Sequence, residues 1–179
     1  MMTFEDAFAR LPADGWLSEA EARLLWRCCE ATEGPILEVG CFKGRSTCLL
    51  LQFGRPVYSV DPFSNFHSDD MDGHRIFHTF IENTAPRSHC NPSDNFVSCY
   101  RCKIEDWEPR NADFAYLDGD HTFEGTLAQI NKALQCGPLV IAVHDYNDSG
   151  GGLKVKLAAQ ERLGEPKLRV ERLAVWGAV

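Results

Sequence analysis

The chain has 179 residues, 44% hydrophobic and 25% charged, which fits one soluble globular domain and excludes a disordered, collagenous or membrane-embedded chain. Its net charge of −8 would repel a phosphate backbone, which sets nucleic acid aside as the main partner. No apolar run is long enough to cross a bilayer, and Glu5 and Asp6 interrupt any secretory apolar region near the start.

Most of the eight cysteines lie in apolar periodic segments, where a thiol packs as a small hydrophobe. Cys99-x-x-Cys102 has no second pair to complete a zinc site. The expectation is a reducing, cytoplasmic setting without disulfides or structural zinc.

In chain order, Ser18 and Glu21 have capping-box spacing, and Leu24, Leu25, Cys28 and Cys29 give one apolar face to a helix over about 18–31. A short strand at 36–39 enters a glycine turn and then a helix over about 45–53. A second strand at 56–60 ends at Asp61-Pro62, and the polar stretch 64–73 reads as a mobile loop. A helix near 74–83, strands at 96–102, 114–117 and 139–143, and helices at 123–134 and 153–163 follow. The last segment, 168–179, holds one or two strands.

Strands alternating with helices predict a single α/β domain with a mainly parallel sheet of six to seven strands and helices on both faces. Residues 1–33 form its helical N-terminal segment and 34–179 its core.

Ligands of such sheets bind beyond the carboxyl ends of the strands. The first turn, Glu38-Val39-Gly40-Cys41-Phe42-Lys43-Gly44-Arg45-Ser46, spaces its glycines G-x-x-x-G rather than as the dinucleotide G-x-G-x-x-G. Asp61 follows Glu38 at about the 20-residue distance at which an acid reaches a ribose diol. A turn glycine or a solvated strand end explains each residue alone; together they favour a nucleoside ligand.

These segments resemble the successive motifs of class I S-adenosylmethionine-dependent methyltransferases. The similarity extends through Val60-Asp61-Pro62, Tyr116-Leu117-Asp118-Gly119-Asp120-His121-Thr122-Phe123-Glu124 and Ala142-Val143-His144-Asp145-Tyr146. Within that class they are similar to small-molecule O-methyltransferases of the macrocin type. The resemblance implies a Rossmann-like fold and S-adenosylmethionine as cofactor. Glu38, Gly40, Cys41, Phe42, Gly44 and Ser46 would hold its methionine part and Asp61 its ribose, with Phe63 or the segment at Lys103, Ile104 and Glu105 bordering the adenine. It also implies Mg²⁺ or another divalent metal at Asp118, His144 and Asp145, although imidazole is a poorer Mg²⁺ ligand than carboxylate.

His121, three residues past Asp118, suits a general base for a substrate hydroxyl; alternatively it bonds backbone, and Asp120 caps the following helix. Asp118 and His121 are thus the expected catalytic pair and a small molecule the expected acceptor. Trp16 and Trp26 are either core or pocket lining, and His67, His74, His78 and His89 are surface residues. The 64–73 loop, the first helix or a second subunit of a homo-oligomer would complete the pocket. Two rival readings stand: an NAD-dependent oxidoreductase on a similar sheet, and a non-catalytic nucleotide-binding or assembly module.

Overall fold

A computed structural model describes residues 2–64, 72–88 and 97–179. Its strands are β1 (Ile36–Val39), β2 (Val57–Val60), β3 (Val97–Tyr100), β4 (Phe114–Leu117), β5 (Val140–Val143), β6 (Leu168–Val170) and β7 (Leu173–Gly177). They form one sheet in the order β3-β2-β1-β4-β5-β7-β6. The first five are parallel; β7 runs antiparallel to both β5 and β6, so β6 ends on the same edge as β5. The 168–179 segment, whose division the sequence left open, is therefore two strands joined by a hairpin at Glu171 and Arg172.

The four-residue runs become strands because both of their faces are buried, and alternation then sorts the side chains. Ile36, Val57, Phe114, Tyr116, Val140, Ala142, Leu173 and Val175 face one core. Leu37, Val60, Ala115, Leu117, Ile141, Val143 and Ala174 face the other. Truncating the fully buried Phe114 to alanine would cost about 3–5 kcal/mol.

The first core is covered by α1 (Phe4–Phe8), α2 (Glu19–Glu30) and α3 (Arg45–Leu50), and the second by α5 (Phe123–Gln135) and α6 (Gly150–Leu163). Between α3 and β3 in sequence, α4 (Gly73–Ser88) packs Ile76 and Phe80 against Cys41 and Phe63. The five-residue α1, capped by Thr3, was not expected, since a single turn and a half carries no readable period. Residues 51–53, expected as α-helix, tighten into a 3₁₀ turn after α3. Thr122, not Asp120, is the N-cap of α5: it accepts the Gly125 N–H at 3.0 Å, while Asp120 accepts that of Thr122 itself at 2.8 Å.

Among the described residues no helix is long and apolar enough to cross a membrane. The seven described cysteines are free thiols. Cys90, His67, His89 and most of the expected 64–73 loop lie outside the described residues.

Candidate active site

At the carboxyl edge, Gly40 and Asp118 end neighbouring strands almost in contact. A Cβ on Gly40 would stand 2.1 Å from the Asp118 carbonyl oxygen, and its φ of +84° is left-handed, so only glycine fits. The G-x-x-x-G spacing thus meets a need of strand packing before any ligand need. Phe42, Phe63 and Asp145 hold positive φ values of 48°, 46° and 55° just past β1, β2 and β5. Glu171, at 51° in the hairpin, completes the set on the same edge. Such strain costs about 1–3 kcal/mol per residue and gathers where geometry serves a ligand.

Glu38 is wholly buried on the α3 side of β1, where the pleat also places Ser59 and Tyr116 as its register neighbours. Its carboxylate accepts from the Ser46, Thr47 and Ser59 hydroxyls at 2.5, 2.6 and 2.9 Å. Burial pushes this carboxyl up to about 7, against the pull of those three donors. Glu38 thus stands behind the turn, and Ser46 separates it from the surface. Asp61 accepts the Cys41 and Phe42 N–H groups on one oxygen, at 2.9 and 3.0 Å, and the Phe63 N–H on the other, at 2.7 Å. Burial raises its pKa despite those backbone donors. With about four acceptor positions on a carboxylate, the described residues leave one for a ligand hydroxyl.

The other half of the edge is built from β4 and β5. Alternation aims Tyr116 and Asp118, and Ala142 and His144, toward the α2 side, so Asp118 and His144 meet. His144 Nδ1 lies 3.1 Å from Asp118 Oδ1, and Tyr116 donates its hydroxyl to Asp118 Oδ2 at 3.0 Å. On the far side, His144 Nε2 faces Glu21 Oε2 at 3.3 Å, an ion-pair contact out of line for a hydrogen bond. Burial disfavours the His144 charge, yet Asp118 and Glu21 outweigh it and lift the imidazole to about 10. Burial likewise opposes ionisation of Asp118, but the charge and hydrogen bond of His144 and the nearby His121 imidazole hold it at about 2. Asp145 pairs with Arg172 Nη1 at 3.0 Å.

His121 lies at the mouth of this half, its side chain 41% exposed, with Nε2 3.6 Å from Asp118 and 3.4 Å from Asp145. It faces carboxylates and not backbone. The Asp118 carboxylate beside it raises its pKa, with burial opposing and Asp145 adding to the rise.

The divalent ion implied by the resemblance is poorly matched by these donors. Asp118, His121 and Asp145 each bring one ligand atom within 4.8 Å of the others, but both carboxylates already carry a cation, His144 or Arg172. His144, expected as a ligand, instead points both nitrogens at protein carboxylates, because the β5 pleat turns it inward to 2% exposure. Mg²⁺ requires oxygen ligands with charge to spare, and this cluster does not offer them.

Lys103 is exposed at the end of β3 and begins a 3₁₀ turn, whereas Ile104 is buried in the second core. Trp26 packs with Phe4 and Phe53 in the first core, while Trp16 is 56% exposed against Phe42. His74 and His78 are exposed, as expected. A groove of about 540 Å³ beside Lys167, Leu168 and the chain end opens at the opposite edge of the sheet and belongs to no part of this site.

Sequence reasoning missed Glu21 and Arg172. Glu21 was read only as a capping-box acid, but it is fully buried and also accepts the Arg172 N–H at 3.2 Å. One signal was present: Glu21 lies on the same helical stripe as Leu24, Leu25 and Cys28, where a solvated acid would not be placed.

No curated protein sequence matches the chain. Among solved structures, similar folds include CalS11, a TDP-rhamnose 3'-O-methyltransferase of calicheamicin biosynthesis, at TM-score 0.63 and 18% identity over 88% of this chain and 78% of that one. An S-adenosylhomocysteine-bound Podospora anserina methyltransferase reaches 0.63 at 15% identity, covering 96% and 83%. The O-methyltransferase of Bacillus cereus, in complex with S-adenosylhomocysteine, reaches 0.58 at 18%, covering 92% and 80%. A family model described as a methyltransferase domain matches residues 37–146, from β1 through both acidic strand ends, and the chain therefore belongs to that methyltransferase family.

Proposed function

We propose that the chain transfers the methyl group of S-adenosylmethionine to a hydroxyl oxygen of a small molecule. The observation that carries this reading is His121, held at the mouth of the β4–β5 half by Asp118 and Asp145, with the Asp118 backbone itself abutting Gly40 of the turn. In the reaction the acceptor oxygen bonds to the methyl carbon as the carbon–sulfur bond breaks, leaving S-adenosylhomocysteine. The hydroxyl proton passes to His121. With Nε2 the nitrogen nearer the two carboxylates, Nδ1 would be the accepting one, and the carboxylates would stabilise the imidazolium that forms.

The β1–β2 half would take the cofactor. Glu38 and Asp61 have only neutral donors as hydrogen-bond partners among the described residues, so a sulfonium or ammonium nearby would offset their burial. The last acceptor position of Asp61 suits a ribose hydroxyl, and the turn from Gly40 to Ser46 the methionine portion. Phe63 and Lys103, on the ends of β2 and β3, would border the adenine. O-methyltransferase neighbours of similar fold support an oxygen acceptor over the oxidoreductase and assembly readings.

The test is incubation with methyl-labelled S-adenosylmethionine and a mixture of small hydroxyl, amine and thiol compounds. Label in a base-stable ether is expected. Label recovered only on nitrogen or sulfur acceptors would overturn the oxygen assignment.

A further inference from the structure

The β6–β7 hairpin reaches the acid–base cluster through one side chain. Its backbone is seated without that side chain: the Arg172 N–H donates to Glu21 Oε1 at 3.2 Å, and the Arg172 carbonyl accepts from the Tyr146 N–H at 2.8 Å. Ser18 ties the hairpin a third time, donating its hydroxyl to Glu171 at 2.6 Å. The guanidinium is therefore not needed to hold the turn. It extends instead to the carboxyl edge of the sheet, where Nη1 lies 3.0 Å from Asp145 Oδ1 and Nη2 donates to the Trp16 carbonyl at 3.4 Å.

The two acids that face His121 are held in different ways. Asp118 is fixed at both oxygens from β4 and the end of β5, by the Tyr116 hydroxyl on Oδ2 at 3.0 Å and by His144 Nδ1, 3.1 Å from Oδ1. Asp145 divides its oxygens, with Oδ1 on Arg172 and Oδ2 3.4 Å from His121 Nε2. His144 Nδ1, 3.9 Å from Asp145 Oδ1, is beyond hydrogen-bond range. The last torsion of an aspartate is broad, so a fixed donor on one oxygen decides where the other points.

We propose that Arg172 is a positioning residue for methyl transfer: its grip on one oxygen of Asp145 presents the other to His121 and keeps the imidazole in line for the acceptor hydroxyl. The proposal rests on the hydroxyl-methyltransferase reading above. Arg172 gives up no proton and touches no reacting atom; it acts through Asp145. A guanidinium suits that task because it keeps its charge at any working pH, and its planar fork serves Asp145 and the Trp16 carbonyl at once.

A double-mutant cycle in the full chain tests this, read with methyl-labelled S-adenosylmethionine and the same acceptor mixture at fixed composition. Arg172→Met keeps the apolar stem and should lower kcat about tenfold, with KM for S-adenosylmethionine within about twofold of the wild type. Arg172→Lys should return kcat to within about threefold. In an Asp145→Asn background, Arg172→Met should change kcat by less than about twofold, because the group through which it acts is gone. The His121 ring resonances of the S-adenosylhomocysteine complex, read by NMR at one pH, need no acceptor. They should move in Arg172→Met and in Asp145→Asn, and no further in the double variant. The S-adenosylhomocysteine melting shift should be the same in all, which reports separately on folding and on the cofactor reading. Absence of labelled ether from the wild type would overturn the hydroxyl reading and this role with it. Unchanged kcat in Arg172→Met, a full further loss in the double variant, no recovery in Arg172→Lys, or an unmoved His121 resonance would each overturn the proposal alone.

Discussion

The carboxylates of β1 and β2, Glu38 and Asp61, share a sheet edge with Asp118 at the end of β4, yet their surroundings shift them in opposite directions. Glu38 and Asp61 are bonded by hydroxyls and backbone N–H groups, and burial raises both. Asp118, its side chain 26% exposed, also meets a burial penalty, but it faces His144, and that cation holds it at about 2. What differs is the donor, since a neutral donor offsets desolvation only in part while a cation reverses it. The first half is left wanting a positive ligand; the second is balanced within itself and free to manage a proton.

The junction is where the comparison breaks most completely. Gly40→Ala would drive a methyl group into the Asp118 backbone from a left-handed position. We expect a loss of about 4 kcal/mol or more in denaturant unfolding, or no folded protein. Native stability in this variant would show that the two halves are not packed through Gly40.

Removing the base affects one half alone. His121→Ala should lose about 10²–10⁴-fold in methyl transfer while still binding S-adenosylhomocysteine. Only the neutral imidazole accepts a proton, and the carboxylates raise its pKa, so the wild-type rate should fall as pH drops through a midpoint above 6.5. Asp145→Asn removes one of those carboxylates and should move the midpoint down. A midpoint that stays in place would separate the pH dependence from His121.

Glu21→Gln sharpens the role of charge, because glutamine can keep the capping box while removing the counter-ion of His144. A loss of about 1–3 kcal/mol is expected near neutrality. The His144 contribution has a definite sign: raised from 6.5 to about 10, it is fully present below pH 6.5 and is lost as pH rises through about 10. Stability of the wild type should therefore decline over that window, and Glu21→Gln should shrink the decline. An unchanged pH–stability curve would reduce Glu21 to a helix cap.

The smallest expected effect is that of chelation. Since His144 and Arg172 already balance the two acids, exhaustive EDTA treatment should leave transfer within about twofold of its starting rate, as two satisfied ion pairs give a dication little to gain. Loss of activity restored by Mg²⁺ would place a metal among Asp118, His121 and Asp145.

The difference between the halves was only partly legible in the sequence. The runs Ile36–Val39 and Phe114–Leu117 announced buried parallel strands, and the turn, Asp61, Asp118 and His121 stood out as chemistry at strand ends. The inward turn of His144, expected as a metal ligand, was not read from the alternation along β5, and neither was its partner. Glu21 reaches it from a helix more than a hundred residues earlier, and Arg172 arrives through a hairpin whose two strands the terminal apolar run does not divide. Tertiary ion pairs leave little local pattern, whereas strands and turns are encoded where they occur.

The central claim, that the β1–β2 half is an S-adenosylmethionine site closed by Asp61, is tested most directly by the melting temperature with and without S-adenosylhomocysteine. At a hundredfold excess over Kd, linkage supplies about 2.7 kcal/mol, or about 5–10 °C for a domain of this size. The wild type should show that rise, and Asp61→Ala should fold without it. An unchanged melting temperature for the wild type at saturating ligand would contradict the account.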